Sequence, residues 1–536
     1  MTLLRAAALA ALLASTAAQA ADYGAFLTSQ FAARQGDMDL AASQILSALG
    51  ADPANPALQR DAFALALLAG RPEAEILAAR VPQSPIAQLL TADAAGRAGN
   101  WERAELGYAE LPHDTVMDGL RPLLLAWAQQ AQGLTDKALD TLQAGIDSGH
   151  MTAFYLLHAA LIADVAHRDG LADRLYAALQ KALAEPNVRV AQILASWQAR
   201  QGHNDAARSD IMALAGDNSD IALALPSLLG QLDRVHIANA RQGIAEVYAG
   251  MAGAVRQDKN TEVTPLLLEL ALRMEPKLAE AHLVLADLAA SQHHFRAAAS
   301  ELRAIEPTDP LFPMAQLHLA DDLSRIGEVP AARATLEHLA TVFPEQSTPM
   351  ARLGDVLMDS QNYPDAAAAY TGAIARLRTL AKPDWVLFYA RGAAEARMHA
   401  WAAAETDARE ALKLSPNQPS ALNFLGFSWA EQNRNLLEAR EMIQRALQQR
   451  PNDGAIVDSL GWVLLRLGDT KRAVQLLQQA AELIPADPTI TGHLGDAYWQ
   501  AGRHVEAADQ WRQALILKPD ADEQARIEGR LRTAGQ

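Results

Sequence analysis

One pattern of small and large apolar residues recurs three times between residues 416 and 519, and it leaves the fold little freedom. The last copy reads Leu494-Gly495, Tyr498, Ala507, Trp511, Ala514 and Pro519. The copy before it reads Leu460-Gly461, Leu464, Ala473, Leu477, Ala480 and Pro485, and the first reads Leu425-Gly426, Trp429, Ala439, Ile443, Ala446 and Pro451. The steps from Gly426 to Gly461 to Gly495 are 35 and 34 residues. Self-similarity at such a period marks a stack of supersecondary units rather than a single globular core.

Each copy reads as two helices. In the copy from Pro488 to Pro519, Leu494 and Tyr498 lie one helical turn apart, with the small Gly495 beside them. Ala507, Trp511, Ala514 and Leu515 keep helical spacing on a second segment. Gly502, in Gln500-Ala501-Gly502-Arg503, marks the stop between the two. Gly495 and Ala507 let the helix backbones approach, and Pro519 ends the second helix because proline cannot continue the hydrogen-bond ladder. Such a hairpin is too small to bury its own apolar faces, so neighbours must stack. Tyr498, Trp429 and Trp511 hold the large apolar positions and read as core.

These residues resemble the tetratricopeptide repeat (TPR). The beat extends outward from the three clear copies. Ala92, Ala126, Ala160 and Ala195 mark first helices, as do Ala252, Ala286, Ala320 and Gly354, and then Gly392. The expected fold class is therefore all-α, a right-handed TPR superhelix (α-solenoid) of about fourteen helix-hairpin units, some degenerate. From Gly216 to Gln242 the rhythm fails, with Pro226 and Gly230 interrupting an apolar stretch. A degenerate unit and an irregular joint are both open readings there. The expected organisation is residues 1–20 as signal peptide, 21–215 as an N-terminal TPR-like array, 216–242 as the degenerate unit or joint, 243–415 as a central array, 416–519 as near-consensus repeats and 520–536 as a C-terminal capping helix or tail.

Composition narrows the function classes. Hydrophobic residues make up 50% of the 536 residues but aromatics only 5%, and alanine and leucine fill the gap, which suits close-packed helices. The net charge of −17 argues against a nucleic-acid groove, which needs a basic patch. It offers no attraction to an anionic membrane surface either. With no cysteine, a disulfide, a thiolate metal site and a lipid-modified cysteine are excluded. Arg5, the apolar run Ala6 to Ala14 and the small-x-small site Ala18-Gln19-Ala20 read as a secretory signal peptide, with cleavage expected after Ala20. Later apolar runs such as Ile221 to Leu229 are too short to span a bilayer. The expected location is the periplasm of a Gram-negative cell.

Catalytic patterns are missing from the sequence. It has no Gly-rich phosphate loop, no His-Glu-x-x-His and no Gly-x-Ser-x-Gly. His293-His294 sits at a turn without converging ligands. The chain reads as a non-enzyme with no cofactor or metal. Its candidate binding residues are aromatics that the repeat does not require. Phe427 follows Gly426, Trp462 follows Gly461, and Trp499 stands one beyond Tyr498. These positions should face the groove, with Arg466 and Asp496 on the same surface. Exposed aromatics flanked by charge are typical anchors of a binding site. The competing reading is that they pack between adjacent first helices.

What the TPR resemblance implies is a concave groove lined by first helices that binds peptides, helices or partner domains. A narrower resemblance lies in Leu422-Asn423-Phe424-Leu425-Gly426-Phe427, Val457-Asp458-Ser459-Leu460-Gly461-Trp462 and His493-Leu494-Gly495-Asp496-Ala497-Tyr498-Trp499. These look like the C-terminal part of proteobacterial envelope TPR proteins, some of which are adaptors of a carboxy-terminal processing protease. Those relatives are typically lipoproteins, and this chain lacks the cysteine for that. The expectation is a non-catalytic periplasmic scaffold or adaptor. Its partners would be proteins or peptides, including a periplasmic protease and its substrates, with no nucleic acid and no direct membrane span. The alternative is a scaffold subunit of a polysaccharide synthesis/export or outer-membrane assembly machine.

Overall fold

The computed structural model describes residues 23–113, 115–216, 218–257, 262–377 and 384–534, so the expected signal segment lies outside the described residues. Among the described residues there are 30 helices and no strand.

They follow one another as hairpins. Helix α1 (residues 23–34) precedes α2 (Met38–Ala51), and α3 (Pro56–Leu68) precedes the short α4 (Glu73–Ala78). Next come α5 (Pro85–Arg97) with α6 (Trp101–Ala109), α7 (Thr115–Ala131) with α8 (Thr135–Asp147), α9 (Thr152–Val165) with α10 (Asp169–Ala182), and α11 (Val188–Arg200) with α12 (Asn204–Ala215). Helix α13 (Ser219–Leu229) has no second helix. The beat resumes with α14 (Ala240–Gln257) and α15 (Thr264–Met274), α16 (Ala279–Ser291) and α17 (Phe295–Ala304), and α18 (Phe312–Arg325) and α19 (Val329–Val342). It continues through α20 (Thr348–Asp359) and α21 (Tyr363–Arg376), α22 (Trp385–Arg397) and α23 (Trp401–Leu414), and α24 (Pro419–Glu431) and α25 (Leu436–Gln449). The last pairs are α26 (Gly454–Arg466) with α27 (Thr470–Leu483) and α28 (Pro488–Gln500) with α29 (His504–Ile516), before a lone α30 (Ala521–Ala534). The all-α hairpin class read from the sequence is the one observed. The stretch where the rhythm fails holds the single helix α13, which runs through Pro226.

The hairpin of α5 and α6 shows the local chemistry. Ser84 caps α5 through the Ala87 amide, with Pro85 in the first turn. Gly99 takes φ +82 at the turn, and Asn100 caps α6. Ala92 and Ala104 are both buried where the two helices meet.

The chain divides into two compact units, Met1–Thr335 and Leu336–Gln536, with the boundary inside α19. In the first unit the helices after α13 turn back and pack on the helices before it. Two glycines of α14 allow this. A Cβ on Gly243 would stand 2.3 Å from the Trp127 ring of α7, and one on Gly250 would stand 2.4 Å from the Phe154 ring of α9. Tyr248, between them and fully buried, donates to Asp93 of α5 at 2.9 and 3.0 Å, and Tyr108 of α6 donates to the same carboxyl at 2.6 Å. Farther along, Arg273 of α15 donates to the Arg71 carbonyl at 2.6 Å, and His294 Nε2 lies 3.0 Å from the Arg34 carbonyl. The resemblance leads one to expect an open groove along the array. In this unit α14 covers the faces of α5, α7 and α9 instead, and one core cluster runs from Ala32 to Ala281.

The second unit is a plainer stack. Gly354, Gly426, Gly461 and Gly495 each sit against a side chain of the following helix: Tyr370, Ile443, Leu477 and Trp511. Helix α30 closes the stack, with Ile527 fully buried. Its start is tied to the end of α22, where Arg397 pairs with Asp520 at 2.9 Å and His399 with Asp522 at 3.1 Å.

Two outcomes test the reversal. Burial pushes the Asp93 pKa up to about 7, against the opposing pull of the two tyrosine hydroxyls and Arg97. An acid raised on folding binds its proton more tightly in the folded state, so its contribution to stability falls as pH rises from about 4 to 7. Asp93→Asn keeps an acceptor for the tyrosines and cannot ionise. The variant should lose that slope and be the more stable protein at pH 8, by at most on the order of 4 kcal/mol. Denaturant unfolding at pH 5 and pH 8 reads it. In the second test, Gly243→Val should cost about 1–3 kcal/mol through the clash with Trp127. Gly253→Ala should be neutral or stabilising, because nothing lies within 4 Å of a Cβ there. Thermal melts of the two variants separate close packing from helix propensity.

Candidate functional site

The residues singled out near the C-terminus lie on α24, α26, α28 and the helices around them. Asp453 caps α26 through the Ala455 and Ile456 amides, and Asp487 caps α28 through Ile490, with Pro488 in the first turn. The glycine contacts of each hairpin then fix the rotation of the first helices. That rotation brings Trp462 of α26 over His493 of α28, with ring centroids 4.0 Å apart and planes at 15°.

His493 is fully enclosed, and its Nδ1 lies 3.0 Å from both carboxylate oxygens of Asp458, one turn before Trp462. Burial opposes charge on this imidazole, but the Asp458 carboxylate outweighs it and holds the pKa above the ordinary value. The guanidinium of Arg466 stands 5.0 Å over the Trp462 ring, and that of Arg526 from α30 stands 5.9 Å from it. Such cation–π contacts contribute about 0.5–2 kcal/mol each. Phe427 of α24 approaches His493 at 6.1 Å and is half-buried.

The five predicted residues therefore have different situations. Arg466 is exposed, and Phe427 and Trp499 are half-buried. Trp462 is only 5% exposed, sandwiched as the packing alternative had it rather than open to solvent. Asp496 is 6% exposed and fully engaged: it accepts from Trp511 Nε1 at 3.1 Å, pairs with Arg526, and lies 3.3 Å from Arg530. Trp499 lies against His504 and Trp511, at 4.2 and 5.6 Å. Phe427, Trp462 and Arg466 belong to one cluster, joined to Asp496 through Arg526, while Trp499 sits beyond Asp496 on the Trp511 side.

Sequence reasoning missed His493, Asp458 and Arg526 as members of this cluster. The signal was present, since Asp458 and His493 stand 35 residues apart, one repeat, on successive first helices. Four buried polar atoms of the same helices have no hydrogen-bond partner among the described residues: Asn423 Oδ1, Trp429 Nε1, Glu431 Oε1 and Trp462 Nε1. Unsatisfied buried groups are rare in folded proteins, and these four are enclosed within the packing of α24 and α26. Among the described residues no group of three or more His, Cys, Asp or Glu is arranged to hold a metal ion.

Comparison with known proteins agrees with this architecture. The tetratricopeptide repeat family model matches residues 317–381 and 459–524, so the chain carries tetratricopeptide repeats in both segments. A TPR repeat-containing protein of Pseudomonas aeruginosa is 29% identical over 217 residues, 40% of this chain and 36% of that protein. An interferon-induced protein with tetratricopeptide repeats from Cricetulus griseus is 28% identical over 90 residues, 17% of this chain and 19% of that protein. The chain thus spans about a third or less of the length of these curated relatives. A solved tetratricopeptide repeat protein from Parabacteroides merdae aligns at TM-score 0.40 and 14% identity, covering 48% of this chain and 99% of that one.

The pair at the centre of the cluster is testable by titration. Asp458→Asn removes the charge that favours the imidazolium, so the His493 pKa should fall from above 6.5 to below it under burial alone. The wild-type pair contributes stability that is present below about pH 6.5 and is lost as pH rises through the raised pKa. NMR titration of the His493 ring in both proteins checks the sign. An unchanged midpoint would show that the carboxylate is not the cause.

Proposed function

We propose that the chain is a non-catalytic scaffold of the bacterial periplasm that captures protein segments on the face formed by α24, α26 and α28. The observation that carries this is the pairing of accessible groups, Phe427 and Arg466, with a rigid base, the Trp462–His493–Asp458 stack. A stack whose rotamers are already fixed loses little entropy on binding. The first unit supports the same assignment by contrast, because α14 of its own chain already covers the faces of α5, α7 and α9. Capture on the faces of first helices is assigned to the C-terminal repeats. In the finer reading, motivated by the likeness of residues 422–499 to envelope adaptors, the captured proteins are a processing protease and its substrates.

The test uses crosslinking in intact cells. A photoreactive phenylalanine analogue at Phe427 should crosslink a defined set of envelope proteins, which mass spectrometry identifies. The same analogue at Val505, 77% exposed on α29, should not give that set. Arg466→Glu should reduce the yield at Phe427 at least fivefold while the melting temperature falls by only a few degrees, the cost of the lost cation–π contact. Identical products from both positions would defeat the reading. N-terminal sequencing of protein from a periplasmic extract should begin at Ala21, and a mature chain retained in the cytoplasm would defeat the localisation.

A further inference from the structure

A second feature belongs to the first unit. The turn between α1 and α2, the end of α3, and helices α15 to α17 enclose a cleft of about 820 Å³. Its walls mix two kinds of residue. Leu68, Leu272 and Phe295 are half-buried apolar side chains, and Asp37, Asp39, Glu269 and Glu301 bring four carboxylates.

Glu269 is the unusual one. It is 8% exposed, it lines the cleft, and it has no hydrogen-bond or ion-pair partner among the described residues. Burying a carboxyl without a partner costs several kcal/mol if it stays ionised, so it keeps its proton instead. Burial pushes its pKa up to about 8, and the nearby Glu301 adds to the rise while Arg273 opposes it. The charged and titratable groups around it explain why no internal partner serves. Arg273, one turn on along α15, is turned toward the Arg71 carbonyl and toward Glu75, 3.6 Å away. Glu301 of α17 is engaged with His282 Nδ1 of α16 at 2.8 Å, and His282 Nε2 lies 3.1 Å from the Pro276 carbonyl. His294 faces the Arg34 carbonyl, Arg296 is exposed at the rim, and Asp37 caps α2 at the Leu40 amide. Arg296 and Arg273 are the arginines at hand, and neither pairs with Glu269.

We propose that this cleft is a second partner site, which seats an arginine or lysine side chain of a protein segment against Glu269 and Glu301, with the apolar neighbours of that residue on Leu68, Leu272 and Phe295. The inference rests on the reading of the chain as a protein-binding scaffold and names the chemistry of one class of segment it holds. A long basic side chain fits such a wall because its methylene stem packs on apolar surface while its head reaches the carboxylates. The net charge of −17 adds a long-range attraction for basic segments. Occupation also leaves a signature. The cation favours ionised Glu269, so binding near pH 7 expels about one proton, and affinity rises by up to about tenfold per pH unit until pH passes about 8. Exposed aspartates and glutamates are ionised throughout that range, so loose attraction to the acidic surface shows neither effect.

The experiment pans a random heptapeptide library displayed on phage against the full chain at pH 8, in parallel with Glu269→Gln. The consensus peptide is then titrated calorimetrically in two buffers of different ionisation heat. The expected result is enrichment of peptides with arginine or lysine beside an apolar residue, release of about one proton at pH 7, and at least tenfold weaker binding when the basic residue is replaced by norleucine or when Glu269 is glutamine. Phe427→Ala should leave this binding unchanged, which separates failure here from failure at the C-terminal face. Should Glu269→Gln fail to fold, proton release by the wild-type protein still decides. Enrichment of peptides without a basic residue, equal binding by wild type and Glu269→Gln, or binding without proton release would overturn the proposal. So would the same proton release on adding zinc chloride or spermidine in place of the peptide.

Discussion

Each hairpin of this chain makes an apolar face that it cannot cover by itself, and that constraint organises everything else. Stacking answers half of it, because the second helix of one unit packs on the first helix of the next. The inner faces of the first helices still need something. In the first unit α14 is laid across α5, α7 and α9. In the C-terminal repeats the answer is a set of bulky side chains, Phe427, Trp462 and His493, braced by arginines from α26 and α30. One unit has spent its inner surface on folding, while the other keeps part of it accessible.

Close approach makes the first solution possible. Gly243 and Gly250 stand two turns apart on one side of α14, and aromatic rings fill the places their side chains would have taken. Polar groups come inside as a result. Asp93 is enclosed with two tyrosine hydroxyls, and Arg189 of α11 is held between Glu246 and Glu280, at 2.9 and 3.2 Å. Buried charges of this kind are weak sources of stability, since desolvation offsets most of their attraction. Their geometry favours one seating of α14 over its neighbours, because a shifted helix would leave each of them without its partners.

Much of the hairpin architecture was legible in the sequence. Small residues at Gly426, Gly461 and Gly495, alanines one helix later and large residues at Trp429, Tyr498 and Trp511 occupy the contacts their spacing implies. The reversal at α14 was not legible. A 34-residue beat states which side of a helix is apolar and is silent about what will cover that side. The pair Gly243 and Gly250 was the available hint, and it sits where the repeat pattern had just failed. The candidate cluster shows the same limit. Trp462 follows a glycine exactly as Phe427 does, yet one is enclosed and the other half-open. The difference comes from His493 and Arg526, which belong to other helices and come into place only when the stack is built.

The covered face of the first unit also sets an order of events in time. A linear repeat array gains stability from contacts between neighbours, so it can fold progressively from one end. Asp93 meets Tyr248 across 155 residues of chain. Until α14 has been made, α5, α7 and α9 carry Trp127 and Phe154 without a lid, and Asp93 lacks one of the two hydroxyls that bond it when buried. Contacts of such separation are slow to form because the loop between them must close first. The N-terminal third of the chain is thus incomplete until α14 reaches it, and its apolar faces stay uncovered for as long as that closure takes.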